Sequence, residues 1–106
     1  MDEEFLKELF QTAGPIAVRR MFGGQGIYVD GKIIAAVQAG RLMVKGDDET
    51  APKYQAAGME RWTYVHAKTG KKSQMPYWIV PESALDEPDE MAVWARLAVE
   101  AGHRAA

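Results

Sequence analysis

Residues 19–45, RRMFGGQGIYVDGKIIAAVQAGRLMVK, leave few folds open to this chain. Asp30-Gly31 stands between two runs of β-branched and aromatic residues. That is a hairpin signal, because Asp-Gly tolerates the positive φ that a two-residue type I′ turn requires at both central residues. Ala39-Gly40 marks a second tight turn, so residues 27–29, 33–38 and 41–45 read as an antiparallel meander. The middle run, IIAAV, is apolar on both faces, which calls for a central position or for cover on both sides. Upstream, residues 18–22 extend as a strand, with Arg19 and Met21 on one side and Val18, Arg20 and Phe22 on the other. The cluster of Gly23, Gly24 and Gly26 is read as a bulge or kink within one long strand, aiming Arg19, Arg20 and Tyr28.

The flanking segments supply helices. Phe5, Leu6, Leu9, Phe10 and Ala13 share one face at helical period, with Asp2 as N-cap, Glu3 and Glu4 at the positive end of the dipole, and Gly14-Pro15 as a stop. A short helix follows Asp47-Asp48, with Pro52 in its first turn, Tyr54, Ala56 and Ala57 facing inward, and Gly58 ending it. RWTYV at 61–65 is a strand by its aromatic and β-branched content. HAKTGKKSQ at 66–74 reads as a polar, basic connection, and 75–80 as a fifth strand whose Pro76 begins at an edge or outside the ladder. The last helix is expected over 88–101, with Asp86 as N-cap, a stripe of Met91, Trp94, Leu97, Ala98 and Ala101, and Gly102 as terminator, leaving the final residues frayed. The order is αβββαββα: an α+β fold, one domain over 1–106, with a five-stranded antiparallel sheet and packed helices.

The 106 residues suffice for one conventional core. The absence of cysteine excludes disulfides, thiolate metal sites and cysteine nucleophiles. The acidic N-terminus is unlike a signal peptide and no apolar run approaches a membrane span, so a soluble cytoplasmic protein is expected. The net charge of −2 is unevenly spread: −3 over residues 1–15, +5 over 16–78 and −4 over 79–106. A basic middle flanked by acidic ends is accounted for most simply by packing of the ends against the middle.

Catalytic and metal motifs are not evident. The glycines are spaced G-G-x-G and precede a strand, whereas a dinucleotide fingerprint needs G-x-G-x-x-G before a helix. Thr69-Gly70-Lys71-Lys72-Ser73 resembles the end of a P-loop, but Val65 stands where the motif needs its first glycine. His66 and His103 are far apart and lack metal-ligand spacing. Ser73 and Ser83 lack a nucleophile-elbow pattern. A non-enzymatic module without a cofactor or metal is therefore expected, and the paired acids at helix starts read as caps. Its partner-binding surface is assigned to Arg19, Arg20, Phe22, Gly23, Gly24, Tyr28 and Lys45, with Lys68, Lys71 and Lys72 as a basic loop. Direct nucleic-acid binding through the basic middle, with Tyr28, Trp62, Tyr64 and Trp78 as stacking platforms, is a second reading that the sequence pI of about 5.7 does not favour. A small-molecule sensor with a pocket lined by Trp62, Tyr64 and Trp78 is a third. A homodimer through a strand edge or a sheet face is compatible with the pattern.

The segments RRMFGG (19–24), GIY (26–28), DGK (30–32), RLMVK (41–45) and MPYWIVP (75–81), with Trp94-Ala95 in the last helix, resemble the N-terminal domain of the TfoX/Sxy competence regulators over nearly the whole chain. The resemblance implies the αβββαββα fold and a role in regulating bacterial DNA-uptake competence, with a protein partner in the transcription machinery or among its regulators. Full-length regulators of that family carry a further helical domain, so this sequence reads as a stand-alone copy of the first. The resemblance carries no catalytic residue over.

Overall fold

The computed structural model describes residues 1–21 and 23–105. The chain begins with α1 (Glu3–Leu9), whose first turn is capped by the Asp2 carboxylate accepting from the Glu4 N–H at 3.4 Å. A 3₁₀ turn at Gln11–Ala13 prolongs it as far as Gly14, whose φ of 90° turns the chain out of the helical path. Four strands follow: β1 (Ala17–Met21), β2 (Gly24–Val29), β3 (Lys32–Gln38) and β4 (Arg41–Lys45). Then come α2 (Ala51–Ala56), β5 (Arg61–Val65), β6 (Lys72–Ile79), a 3₁₀ turn at Glu82–Leu85 and α3 (Pro88–Arg104).

The sheet has six strands in the order β1-β2-β3-β4-β6-β5, every pair antiparallel. The sequence reading gave five, because it joined β1 and β2 into one bulged strand. Met21 in fact lies opposite Gly24 and Ala17 opposite Tyr28, so the two runs fold back on each other as a hairpin. Gly23 supplies the turn with φ 75°, and a Cβ on Gly24 would collide with the Val37 carbonyl of β3. The irregularity expected at the glycines lies further along, where the β2–β3 register shifts between Ile27 and Tyr28. Both expected tight turns are present, with positive φ at Asp30, Gly31, Ala39 and Gly40.

All three helices pack on one face of the sheet. Their inward residues, among them Leu6, Phe10, Tyr54, Met91, Leu97 and Ala98, form one cluster with Ile27, Ile34, Val37, Val44 and Trp78. The IIAAV strand is the third of six, as its two apolar faces require. At 25 cal/mol per Å², each large side chain fully buried here contributes roughly 1.5–3 kcal/mol.

Packing overrides several local signals. α3 runs through Gly102 to Arg104. A Cβ on Gly102 would sit 2.9 Å from the Ile33 carbonyl oxygen and from Ile34 Cγ2, so the glycine lets helix and sheet approach and does not end the helix. Its last turn is tied down: the Arg104 guanidinium donates to Asp47 at 2.7 and 3.1 Å and pairs with Glu49 at 2.9 Å. Asp47 also accepts from the Glu49 and Thr50 N–H groups, and the Arg104 hydrogen bond leads the causes that pull its pKa down to about 2. The N-cap of α3 is Glu87, held extended before Pro88, in place of Asp86. Thr50 precedes α2, and Ala56 and Ala57 are exposed, because that helix stops at Ala56. The polar run 66–74 is a connection only as far as Lys71, since Lys72, Ser73 and Gln74 belong to β6, opposite Val65, Tyr64 and Thr63.

Candidate interaction face

The second face of the sheet receives no side chain from any helix in its apolar cluster. Ala36, Met43 and Tyr77 are buried there among Met21, Ile33, Trp62, Met75 and Ile79. Strand alternation and register build this surface. Tyr28 lies opposite Ile33, Ala36 opposite Met43, Met43 opposite Ile79 and Lys45 opposite Tyr77, and paired residues share a face. Gly26 lies beneath them: a Cβ there would be 3.1 Å from the Tyr28 ring and 3.3 Å from Ile33.

Cations and rings interleave across the strands. The Arg19 guanidinium sits 5.2 Å from the centroid of Tyr28, and the Lys45 ammonium 5.5 Å from that of Tyr77. Trp62 packs 6.2 Å from both Tyr77 and Tyr64, and Tyr64 meets His66 edge-on at 4.9 Å. Burial, and secondarily the neighbouring Tyr28, pushes the Tyr77 phenol above its ordinary pKa. A groove of about 340 Å³ is lined by Trp62, Tyr64, His66, Ser73 and Met75. Arg41 is the third cation at this face, paired at its margin with Glu60 at 3.8 Å. No strand residue turned to this face is a carboxylate.

Of the residues singled out in the sequence, Arg19, Tyr28 and Lys45 come together on this face. Arg20 is exposed and points to the helix side with Val18. Gly23 and Gly24 serve the β1–β2 turn, and Phe22 lies outside the described residues. Lys68 and Lys71 are exposed in the β5–β6 connection, and Lys72 opens β6, opposite Val65 of the edge strand β5 and far across the sheet from Arg19 on β1. The pocket expected between Trp62, Tyr64 and Trp78 does not form. Trp78 is 2% exposed on the helix side, beside Tyr54 at 5.4 Å, whereas Trp62 and Tyr64 face the other way. Tyr77 and Trp62 were absent from the sequence-derived surface. Strict alternation along MPYWIV was the available signal, since it puts Tyr77 on the face opposite Trp78.

His66 Nε2 and Ser73 Oγ lie 3.1 Å apart. Among the described residues no carboxylate bonds the imidazole, so the pair lacks the orienting third group of a nucleophilic triad and reads as a contact across the exposed strand ends. No group of three or more His, Cys, Asp or Glu among the described residues could hold a metal ion, and no described helix is long and apolar enough to cross a membrane.

The chain is thus a single α+β domain with helices on one side of an antiparallel sheet and a mixed aromatic and cationic surface on the other. The family model of the TfoX N-terminal domain matches residues 8–102, and the chain belongs to that family. No match was found among curated proteins.

Proposed function

We propose that the chain is a non-enzymatic regulatory module that binds a protein partner on its open sheet face. Family membership supports a competence-regulator-like role, with the transcription machinery or one of its regulators as the class of partner. The observation that carries the reading is the cluster around Tyr77, which no helix residue joins, together with Arg19 over Tyr28 and Lys45 over Tyr77 beside it. Aromatic rings and cations ready to be desolvated are the groups that dominate interface energetics. The test is affinity capture from a native bacterial lysate with the wild-type chain and with Arg19→Ala/Lys45→Ala. A specific protein recovered by the first and lost with the second is expected. Equal recovery by both, or measurable turnover of a metabolite, overturns the reading.

The same rings and cations also favour single-stranded nucleic acid, which would stack bases and neutralise phosphates. That alternative requires affinity falling steeply with salt, and absence of binding at low salt removes it.

A further inference from the structure

The two edges of the sheet are built differently. β1 carries adjacent Arg19 and Arg20, the kind of charge that blunts an edge against pairing. β5 ends in Thr63-Tyr64-Val65, with no charge and no proline, and Tyr64 and Val65 are 41% and 53% exposed. Backbone direction matters as much. The His66 N–H points inward, donating to the Lys71 carbonyl at 2.8 Å. Antiparallel alternation then turns the N–H and C=O groups of Val65 and Thr63 outward, away from β6.

We propose that β5 pairs antiparallel with β5 of a second copy of this chain, joining two sheets into one across a two-fold axis at Thr63. In that register Thr63 exchanges both backbone hydrogen bonds with its symmetry mate, and Arg61 lies opposite Val65 of the second copy. Trp62 faces Tyr64 of the second copy on the open side, giving aromatic cross-strand pairs. Charge selects this orientation. Each edge has Glu60 at one end and the basic turn with His66 and Lys68 at the other. Antiparallel pairing about Thr63 sets Glu60 against His66 of the second copy, whereas parallel pairing sets basic turn against basic turn. Pairing β5 with β1 of another copy would leave edges free and extend without closing. The isologous arrangement closes and makes the two open faces continuous, independently of what those faces bind. One added strand pair buries less than the roughly 800 Å² per partner of a tight interface, so monomer and dimer exchange with concentration.

The experiment is sedimentation equilibrium across a concentration series, with far-UV circular dichroism as a check on folding. The wild-type mass is expected to rise from 11.8 kDa towards twice that value. Thr63→Pro removes only an outward-facing N–H, which an edge strand tolerates, and is expected to keep the spectrum but stay at monomer mass at every concentration. Val65→Lys places like charge against Arg61 of the second copy and is expected to do the same. The chain has no native cysteine, so Thr63→Cys should cross-link to itself with a short bis-maleimide and Ala17→Cys on the β1 edge should not. A wild-type chain that stays monomeric at its highest soluble concentration overturns the proposal. So does a Thr63→Pro variant that still dimerises, or a monomer whose β5 amides become protected only when a foreign extended peptide is added.

Discussion

The two faces of the sheet use the same residue types to opposite ends. On the helix side Tyr54, Trp78 and Trp94 pack at centroid distances of 5.4 and 5.9 Å, and Tyr54 spends its hydroxyl on the Lys45 carbonyl at 2.7 Å. On the open side Trp62 packs at 6.2 Å from both Tyr77 and Tyr64, Arg19 and Lys45 lie over Tyr28 and Tyr77, and Tyr64 is 41% exposed. On the helix side Arg61 lies over Trp78 at 4.6 Å, but the ring stays buried. Aromatic content therefore does not distinguish core from surface in this chain. What covers the ring decides, and helices cover only one side.

The largest expected break in that contrast is Trp78→Ala, at about 3–5 kcal/mol, because it opens a cavity beneath α2 and α3. Trp62→Ala on the open face should cost about 1 kcal/mol. Urea denaturation of both variants checks the ratio, and equal losses would mean that the two faces are equally packed. Gly102→Ala comes next. Helix propensity alone favours alanine by about 1 kcal/mol. The added Cβ, 2.9 Å from the Ile33 carbonyl oxygen, should reverse the sign and cost about 1–3 kcal/mol by pushing α3 off the sheet. A raised urea midpoint would show that the helix–sheet distance is slack.

Asp47 sharpens the helix side electrostatically. Asp47→Ala should lose about 1 kcal/mol, since its carboxylate accepts the Glu49 and Thr50 N–H groups of the turn before α2 and two bonds from Arg104. Its folded pKa of about 2 lies below the ordinary 3.8, so its contribution is fully present above about pH 4 and is lost as the pH falls through 2. Melting temperatures of the wild type and Asp47→Asn should therefore converge over that interval, and a constant gap would contradict the linkage. The smallest effect belongs to the open face. Arg19→Ala/Lys45→Ala should change stability by no more than about 0.5 kcal/mol, since exposed charges contribute little. Loss of partner capture without loss of stability is the signature expected of a binding surface.

Much of this architecture was legible where turn chemistry is explicit. Asp30-Gly31 and Ala39-Gly40 placed β3 and β4, and the aromatic and β-branched run RWTYV placed β5 to the residue. The β1–β2 hairpin was missed because three nearby glycines suggested a bulge, whereas Gly23 has the positive φ of the turn and Gly24 answers to a carbonyl of the neighbouring strand β3. Lys72 to Gln74 look like loop by composition and become strand only because β5 lies alongside. Gly102 carries a local stop signal that close helix–sheet contact overrides. The candidate face was half legible: Arg19, Tyr28 and Lys45 were singled out, but the register that puts Arg19 and Tyr28 on one side comes from the unrecognised β1–β2 hairpin. Their meeting with Tyr77 depends on β6 inserting beside β4, a pairing between distant parts of the chain.

That insertion also sets the order in which the molecule assembles. Strands β1 to β4 are neighbours in sequence and space, so residues 17–45 need only short hairpin closures. β6 must bring Tyr77 to Lys45 across a long loop, and β5 joins the sheet through β6 alone. The entropy of that closure is lost before the contacts it brings are made, so the β4–β6 seam is the expected slow step of folding. Substitutions at Met43 or Ile79 should slow refolding, whereas those in the first hairpin should mainly quicken unfolding. Until the seam closes, β4 is left as a bare edge, and that interval is when the chain is most exposed to aggregation.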